Sequence, residues 1–166
     1  MMGPMAKQIT HQMTYDASLA EVAAMLADPE FRRTVCERQG VIRSEVSVEP
    51  RGDSTEVRIE QVQPAVGIPS FARKFVGDEI QIVQTESWGS ADRADVTVTI
   101  PGKPGDMTGH AVLAESGDRT TETVDLTVKV GIPIVGGKLE GLIADLLLKA
   151  LRTEERVGHE WLARER

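Results

Sequence analysis

His11, Gln61, Gln84 and Glu86 are the polar side chains best placed to do chemistry, because each falls on an otherwise apolar strand face. His11 lies between Ile9 and Met13, and Gln61 follows Val57 and Ile59 at strand spacing. Gln84 and Glu86 lie between Ile82 and Trp88. A few polar groups on apolar walls orient the head group of a ligand. If Glu86 were buried without a cation, its pKa would rise and it could serve as a general acid or base. The plainer reading puts these residues at strand ends that twist into water, or past a bulge that flips the parity. His110 can face either way on its strand, and His159 follows Glu155 by one helical turn as a solvated pair. No His-x-Glu or His-x-x-x-His spacing is present, so no metal is expected, and no other cofactor is called for. Cys36, the single cysteine, excludes an intrachain disulfide and reads as a small helix residue. Gly102-Lys103 lacks the spaced first glycine and following hydroxyl of a phosphate loop, and reads as a hairpin connection. No residue is assigned a catalytic role.

Composition narrows the partners. A chain of 166 residues is one domain by size, and 40% apolar with 27% charged residues is ordinary for a globular protein. Aromatics make up only 4%, so the core must rest on Val, Ile, Leu, Met and Ala. The formal charge of -7 argues against nucleic acid, and against an anionic membrane surface as the main partner. The richest apolar stretch, Leu139 to Leu151, is broken by Glu140, Asp145 and Lys149, so no membrane span is expected. The N-terminus lacks a signal-peptide pattern, and the expected location is the cytoplasm. Residues 1–6 read as a disordered lead-in and 7–166 as one domain.

The elements that must hold these residues follow from periodicity. Residues 7–14 alternate as a strand. Ser18 and Glu21 make a capping box for a helix over 19–27, and Asp28-Pro29 opens a second that runs to about Arg38. Strands follow over 41–49, 54–63, 78–88, 93–100, 107–115 and 119–130. Ile42, Val46 and Val48 share a face of the first of these, Val57 and Ile59 of the second, and Val96, Val98 and Ile100 of the fourth. The last alternates most cleanly, with Val124, Leu126, Val128 and Val130 set against Thr123, Asp125, Thr127 and Lys129. Short turns make successive strands antiparallel neighbours, and one-sided alternation leaves one sheet face wet.

The other face needs a cover, and residues 133–164 supply a helix of roughly 45–50 Å. Val135, Leu139, Leu142, Leu146 and Ala150 form one apolar line, with Ile143, Leu147 and Leu151 beside it. Lys138, Glu140, Asp145, Lys149, Arg152 and Arg156 fall mostly outside. Gly137 and Gly141 could let the helix start approach the sheet. Between the strands, Pro64 to Gly77 carries Val66, Ile68, Phe71 and Phe75, with Ser70 as cap of a short helical turn. This segment is either a lid over a cavity mouth or a loop stapled to the sheet edge by its own Phe side chains.

Strand, two short helices, six strands and one long helix is an order that resembles the START-like (SRPBCC) superfamily. More narrowly, the chain looks like an actinobacterial family of unknown function within it. The carriers of the resemblance are Ile9 to Phe31, Phe71 to Trp88 and Val130 to Ile143. The resemblance implies an α+β helix-grip fold: a curved antiparallel sheet of about seven strands wrapped around the C-terminal helix. It also implies a cavity between the two, lined by Val57, Ile59, Ile82, Val96, Val98, Leu126, Leu139, Leu142, Ile143 and Leu146. A closed core filled by Leu and Met is the alternative.

The leading functional reading is a carrier or sensor that binds an apolar small molecule, such as a lipid or polyketide-like ligand. The second is a cyclase- or aromatase-like enzyme using the same cavity, since such chemistry needs little beyond positioning. The third is an interaction module or homodimer using a sheet edge or the helix. Fold alone does not choose among them.

Overall fold

The computed structural model describes residues 6–164. The expected lead-in, Ala6 apart, lies outside them. Strand β1 (Lys7–Tyr15) is followed by α1 (Leu19–Leu26) and α2 (Pro29–Arg38). Then come β2 (Arg43–Arg51), β3 (Ser54–Pro64), α3 (Ser70–Val76), β4 (Glu79–Ser90), β5 (Arg93–Thr99), β6 (Asp106–Ser116) and β7 (Arg119–Lys129). Helix α4 (Gly136–Arg164) ends the order. The strands form one antiparallel sheet in the order β1-β7-β6-β5-β4-β3-β2, so only β1 departs from sequence order, pairing with β7. This is the helix-grip α+β fold.

Local chemistry fixes the helix ends. The Ser18 hydroxyl accepts from Glu21 N at 3.1 Å while Glu21 accepts from Ser18 N at 3.0 Å, the expected capping box. Asp28 accepts from Glu30 N at 2.9 Å and Pro29 fills the first position of α2. Helix α3 differs from expectation at its start: Pro69 is the cap position, and Ser70 is the first helical residue and makes no cap.

Helix α4 has 29 residues, about 44 Å, and begins three residues later than Pro133. It lies most closely along β1, β7 and α2. Its close approaches use different glycines from those expected. Gly137 and Gly141 face open space, whereas a Cβ on Gly136 would stand 2.6 Å from the Val130 carbonyl oxygen and one on Gly158 2.6 Å from the Tyr15 ring. Gly109 serves the sheet in the same way, since a Cβ there would run into the Asp125 carbonyl.

Three assignments are corrected, two apolar and one polar. Leu146 is 41% exposed, because the buried face of α4 runs through Leu139, Glu140 and Ala144 rather than along the line through Leu146. Glu140 is accordingly buried, accepting from Val130 N at 2.7 Å. Ile42 precedes β2 and is 48% exposed.

Candidate functional site

The interior between the sheet and the helices is apolar at its floor and charged at its centre. Val57, Ile59, Val96, Val98 and Leu126 are buried in one core cluster with Ile9, Met13 and Val128. Ladder register puts Glu86 beside Val57 and Val96, and Gln84 beside Ile59 and Val98, all on this inner face. The one irregularity in the β4–β5 pairing falls between Trp88 and Ser90, beyond Gln84 and Glu86, so their parity holds.

Glu86 is buried, but with a cation. Arg32 of α2 reaches it with two parallel hydrogen bonds, Nη2 to Oε1 at 2.6 Å and Nη1 to Oε2 at 3.0 Å. Trp88 Nε1 donates to Oε1 at 2.9 Å and Gln84 Nε2 to Oε2 at 2.6 Å, so the carboxylate accepts four bonds. Arg32 Nε donates to the Leu26 carbonyl at 2.7 Å, which ties the end of α1 to the same point. Burial pushes the Glu86 pKa up, but the Arg32 charge and these donors outweigh it and hold it below the usual range. The condition for Glu86 to act as an acid or base, burial without a cation, is therefore not met: its lone pairs are spent on structure and it stays ionised.

Two further carboxyls crowd this pair. Glu154 of α4 lies 3.7 Å from Arg32 Nη1, and Glu122 of β7 is buried, with Oε1 lacking a hydrogen-bond partner among the described residues. Burial, with Glu154 and Glu86 nearby, raises the Glu122 pKa well above the ordinary value and favours its neutral acid. Burial and Glu86 push Glu154 up to about 7 against the pull of Arg32. Tyr15 packs on Gly158, and burial followed by Glu154 and Glu122 raises its hydroxyl pKa. His11 lies on the same face, its Nε2 3.4 Å from Glu155 Oε1 but off the line of a hydrogen bond.

Around this charged centre several apolar side chains keep part of their surface open to solvent. Ile143, Leu147, Leu148 and Leu151, in the middle of α4, pack against the core yet stay half-buried. On the inner sheet face Ile82 and Gln84 of β4, and Val46 and Val48 of β2, are also half-buried, while Gln61 is buried and accepts from Gln63 Nε2 at 2.6 Å. Leu139, Leu142, Phe71 and Phe75 belong to a second cluster with Ala72 and Val130, where α3 packs on the start of α4.

Two hollows lie elsewhere. One, of about 300 Å³, opens between α1 and Trp88, with Ala23, Ala27 and Thr55 in its walls. The other, of about 500 Å³, is on the outer sheet face, between the rows Thr10-Asp125-His110-Asp95 and Gln8-Thr127-Thr108-Thr97. His110 is thus outside the grip, 3.1 Å from Asp95. His159, half exposed, meets Glu155 at 3.7 Å and Tyr15 by ring contact. No group of three metal-ligating side chains comes together among the described residues, and no helix there is long and apolar enough to cross a membrane.

Sequence reasoning missed Arg32, Glu122 and Glu154, although the signal for each was present. Glu122 shares the parity of Val124 and Leu126. Arg32 shares a helix face with Val35 and Cys36, both buried. Glu154 continues the line of Leu147 and Leu151.

The family profile described as "Protein of unknown function (DUF2505)" matches residues 10–162. The chain belongs to this family. An uncharacterized Mycobacterium tuberculosis protein is 27% identical to this DUF2505 chain over 161 residues, 89% of this chain and 92% of that one. Among solved structures, a START superfamily protein from Mycobacterium smegmatis superposes with a TM-score of 0.62 at 15% identity, covering 93% of this chain and 98% of that one. The di-domain aromatase/cyclase StfQ, from the steffimycin biosynthetic pathway, gives a TM-score of 0.67 at 11% identity, covering 97% of this chain and 52% of that one. These likenesses establish a START-like fold for the DUF2505 chain.

Proposed function

We propose that this protein binds an apolar small molecule, of lipid or polyketide-like character, between the middle of α4 and the β2–β4 half of the sheet. One observation carries the reading: α4 is buried near both ends, at Leu139 and Ala144 and again at Val157 and Leu162, while its inward leucines between them stay half-buried. A helix that bridges a hollow without filling it leaves apolar surface for a ligand to cover. Ile82 and Ile143 would supply apolar wall, and Gln84 and Gln61 amide groups for a polar end. The Arg32–Glu86 pair holds Gln84 in place rather than contacting the ligand. The START-like fold and the aromatase/cyclase likeness support the same class of molecule. Cys36, buried and unpaired, fits a reducing compartment such as the cytoplasm.

Native mass spectrometry after mild extraction, with thermal shifts across fatty acids, isoprenoids and aromatic polyketides, tests this. A bound mass or a shift from one class is expected, and Ile143→Trp should abolish it while leaving the fold intact. No adduct and no shift across all three would end the proposal.

A cyclase-like enzyme is the second reading, favoured by one group. Glu154, with its pKa near 7, is poised to exchange a proton at neutral pH. Glu154→Gln would then abolish turnover while leaving ligand binding in place.

A further inference from the structure

One end of the sheet departs from the rest of the surface in both hydropathy and charge. Two connections at that end repeat the same four residues, Val66-Gly67-Ile68-Pro69 before α3 and Val130-Gly131-Ile132-Pro133 before α4. Ile68 and Ile132 pack into one cluster with Phe71, Phe75 and Val135, so the two connections lie side by side. Each also turns an aliphatic side chain outward: Val66 is 83% exposed and Ile134 is 99% exposed. A lone exposed aliphatic residue is ordinary, but two on adjoining tips are a feature. Ile134 moreover holds φ at 75°, a left-handed conformation that opposes its β-branched side chain. A side chain so exposed makes no intramolecular contact that would offset this strain, and strain of this kind marks functional positions.

The charge at this end opposes that of the whole chain, which is formally -7. Its acids are matched: Asp78 meets Arg73 at 3.8 Å, Glu79 meets Arg43 at 3.9 Å, and Asp106 stands opposite Lys129 in the β6–β7 register. Glu140 is buried on Val130 N. Lys7, Lys74, Lys103 and Lys138 remain, with no acidic partner among the described residues. Two of them lie along apolar surface, Lys138 Nζ 4.8 Å from the Phe71 ring centroid and Lys74 Nζ 5.8 Å from that of Phe75. Long cationic side chains flanking apolar tips suit a water–lipid boundary, where the stem stays dry and the ammonium meets phosphate.

We propose that this end docks on a lipid bilayer with anionic headgroups, Val66 and Ile134 entering the acyl boundary and the lysines resting at the phosphates. A symmetric second copy is the poorer occupant, because it would set these lysines against their own images. The site is separate from the interior and does not depend on what the interior binds.

Sedimentation of the full chain with phosphatidylcholine vesicles, with and without phosphatidylglycerol, tests the proposal. Binding should require the anionic lipid and fall several-fold at about 0.5 M salt, where charges are screened within a few ångströms. The double variant Val66→Asp, Ile134→Asp should lose it. Ile134→Gly separates docking from folding, since glycine accepts the left-handed conformation: thermal stability should hold or rise while vesicle binding falls. Equal binding to neutral vesicles, no binding, or binding unchanged in these variants would overturn the proposal. So would a dimer in light scattering that the double variant dissolves.

Discussion

Arg32 and Glu86 face each other through a fork of two hydrogen bonds at 2.6 and 3.0 Å, in an interior where both residues are almost fully shielded from water. The pair joins α2 to β4, and through the Leu26 carbonyl it joins α1 as well. Removing one partner leaves a buried charge uncompensated, at a cost of about 3–5 kcal/mol. Glu86→Leu and Arg32→Met should each lower the urea midpoint accordingly. The double variant Arg32→Met, Glu86→Leu should recover much of the loss, because it leaves neither charge stranded. A double variant as unstable as the sum of the singles would show that the pair does not act as a unit.

The carboxyls beside this pair make stability depend on pH in an unusual direction. Glu154 has a folded pKa of about 7 against an ordinary 4.5, and Glu122 is raised too. Between those limits the folded state binds more protons than the unfolded, so stability falls as pH rises from about 4.5 to 7. Glu86, with a lowered pKa, acts oppositely and withdraws its contribution below about pH 4.5. Melting temperature should therefore peak in weak acid and decline toward neutrality. Glu154→Gln should flatten that decline, and a slope unchanged in this variant would assign it to other groups.

The strands, their antiparallel succession from β2 to β7, and α1 and α2 with their caps were legible in the sequence because each rests on local chemistry: alternation, Ser18 with Glu21, Asp28 with Pro29; the pairing of β1 with β7 joins distant parts of the chain and left no local signal. The charged centre was harder to see, and the reason is physical. Hydrophobic periodicity is read from apolar residues, so a buried ionic group looks like the polar back of its element. Glu122 continues the inward parity of β7 and Glu154 the inward line of α4, yet each by type alone belongs in water. Only the convergence of α2, β4, β7 and α4, set by tertiary packing, shows that Arg32 is there to meet them. Leu146 erred the opposite way, since an apolar stripe wider than its contact leaves one edge exposed.

At Gly158 α4 lies hard against β1. A Cβ there would stand 2.6 Å from Cε1 of Tyr15, a ring with no exposed surface into which to retreat. Gly158→Ala should cost about 1–3 kcal/mol through overpacking. Gly141→Ala, on the same helix with nothing within 4 Å of the new carbon, should instead stabilise by about 0.5–1 kcal/mol through helix propensity. Thermal melts of the two variants should move in opposite directions. A neutral Gly158→Ala would mean that the helix stands farther from β1.

Phe71 decides whether α3 is a lid or a staple. Its ring is half-buried against the cluster of Ala72, Val130 and Leu139, with Lys138 above it, so truncation removes only part of a normal core contact. If α3 gates the space beside Ile143, which belongs to this cluster and to the main core, Phe71→Ala should speed both ligand entry and release. Its unfolding free energy should change by less than the 3–5 kcal/mol of a fully buried Phe. Stopped-flow binding set beside urea melts reads both quantities. Unchanged rates with a large loss of stability would make α3 a staple that pins β3, β4 and the start of α4 together, and ligand entry would then have to use another edge of the grip.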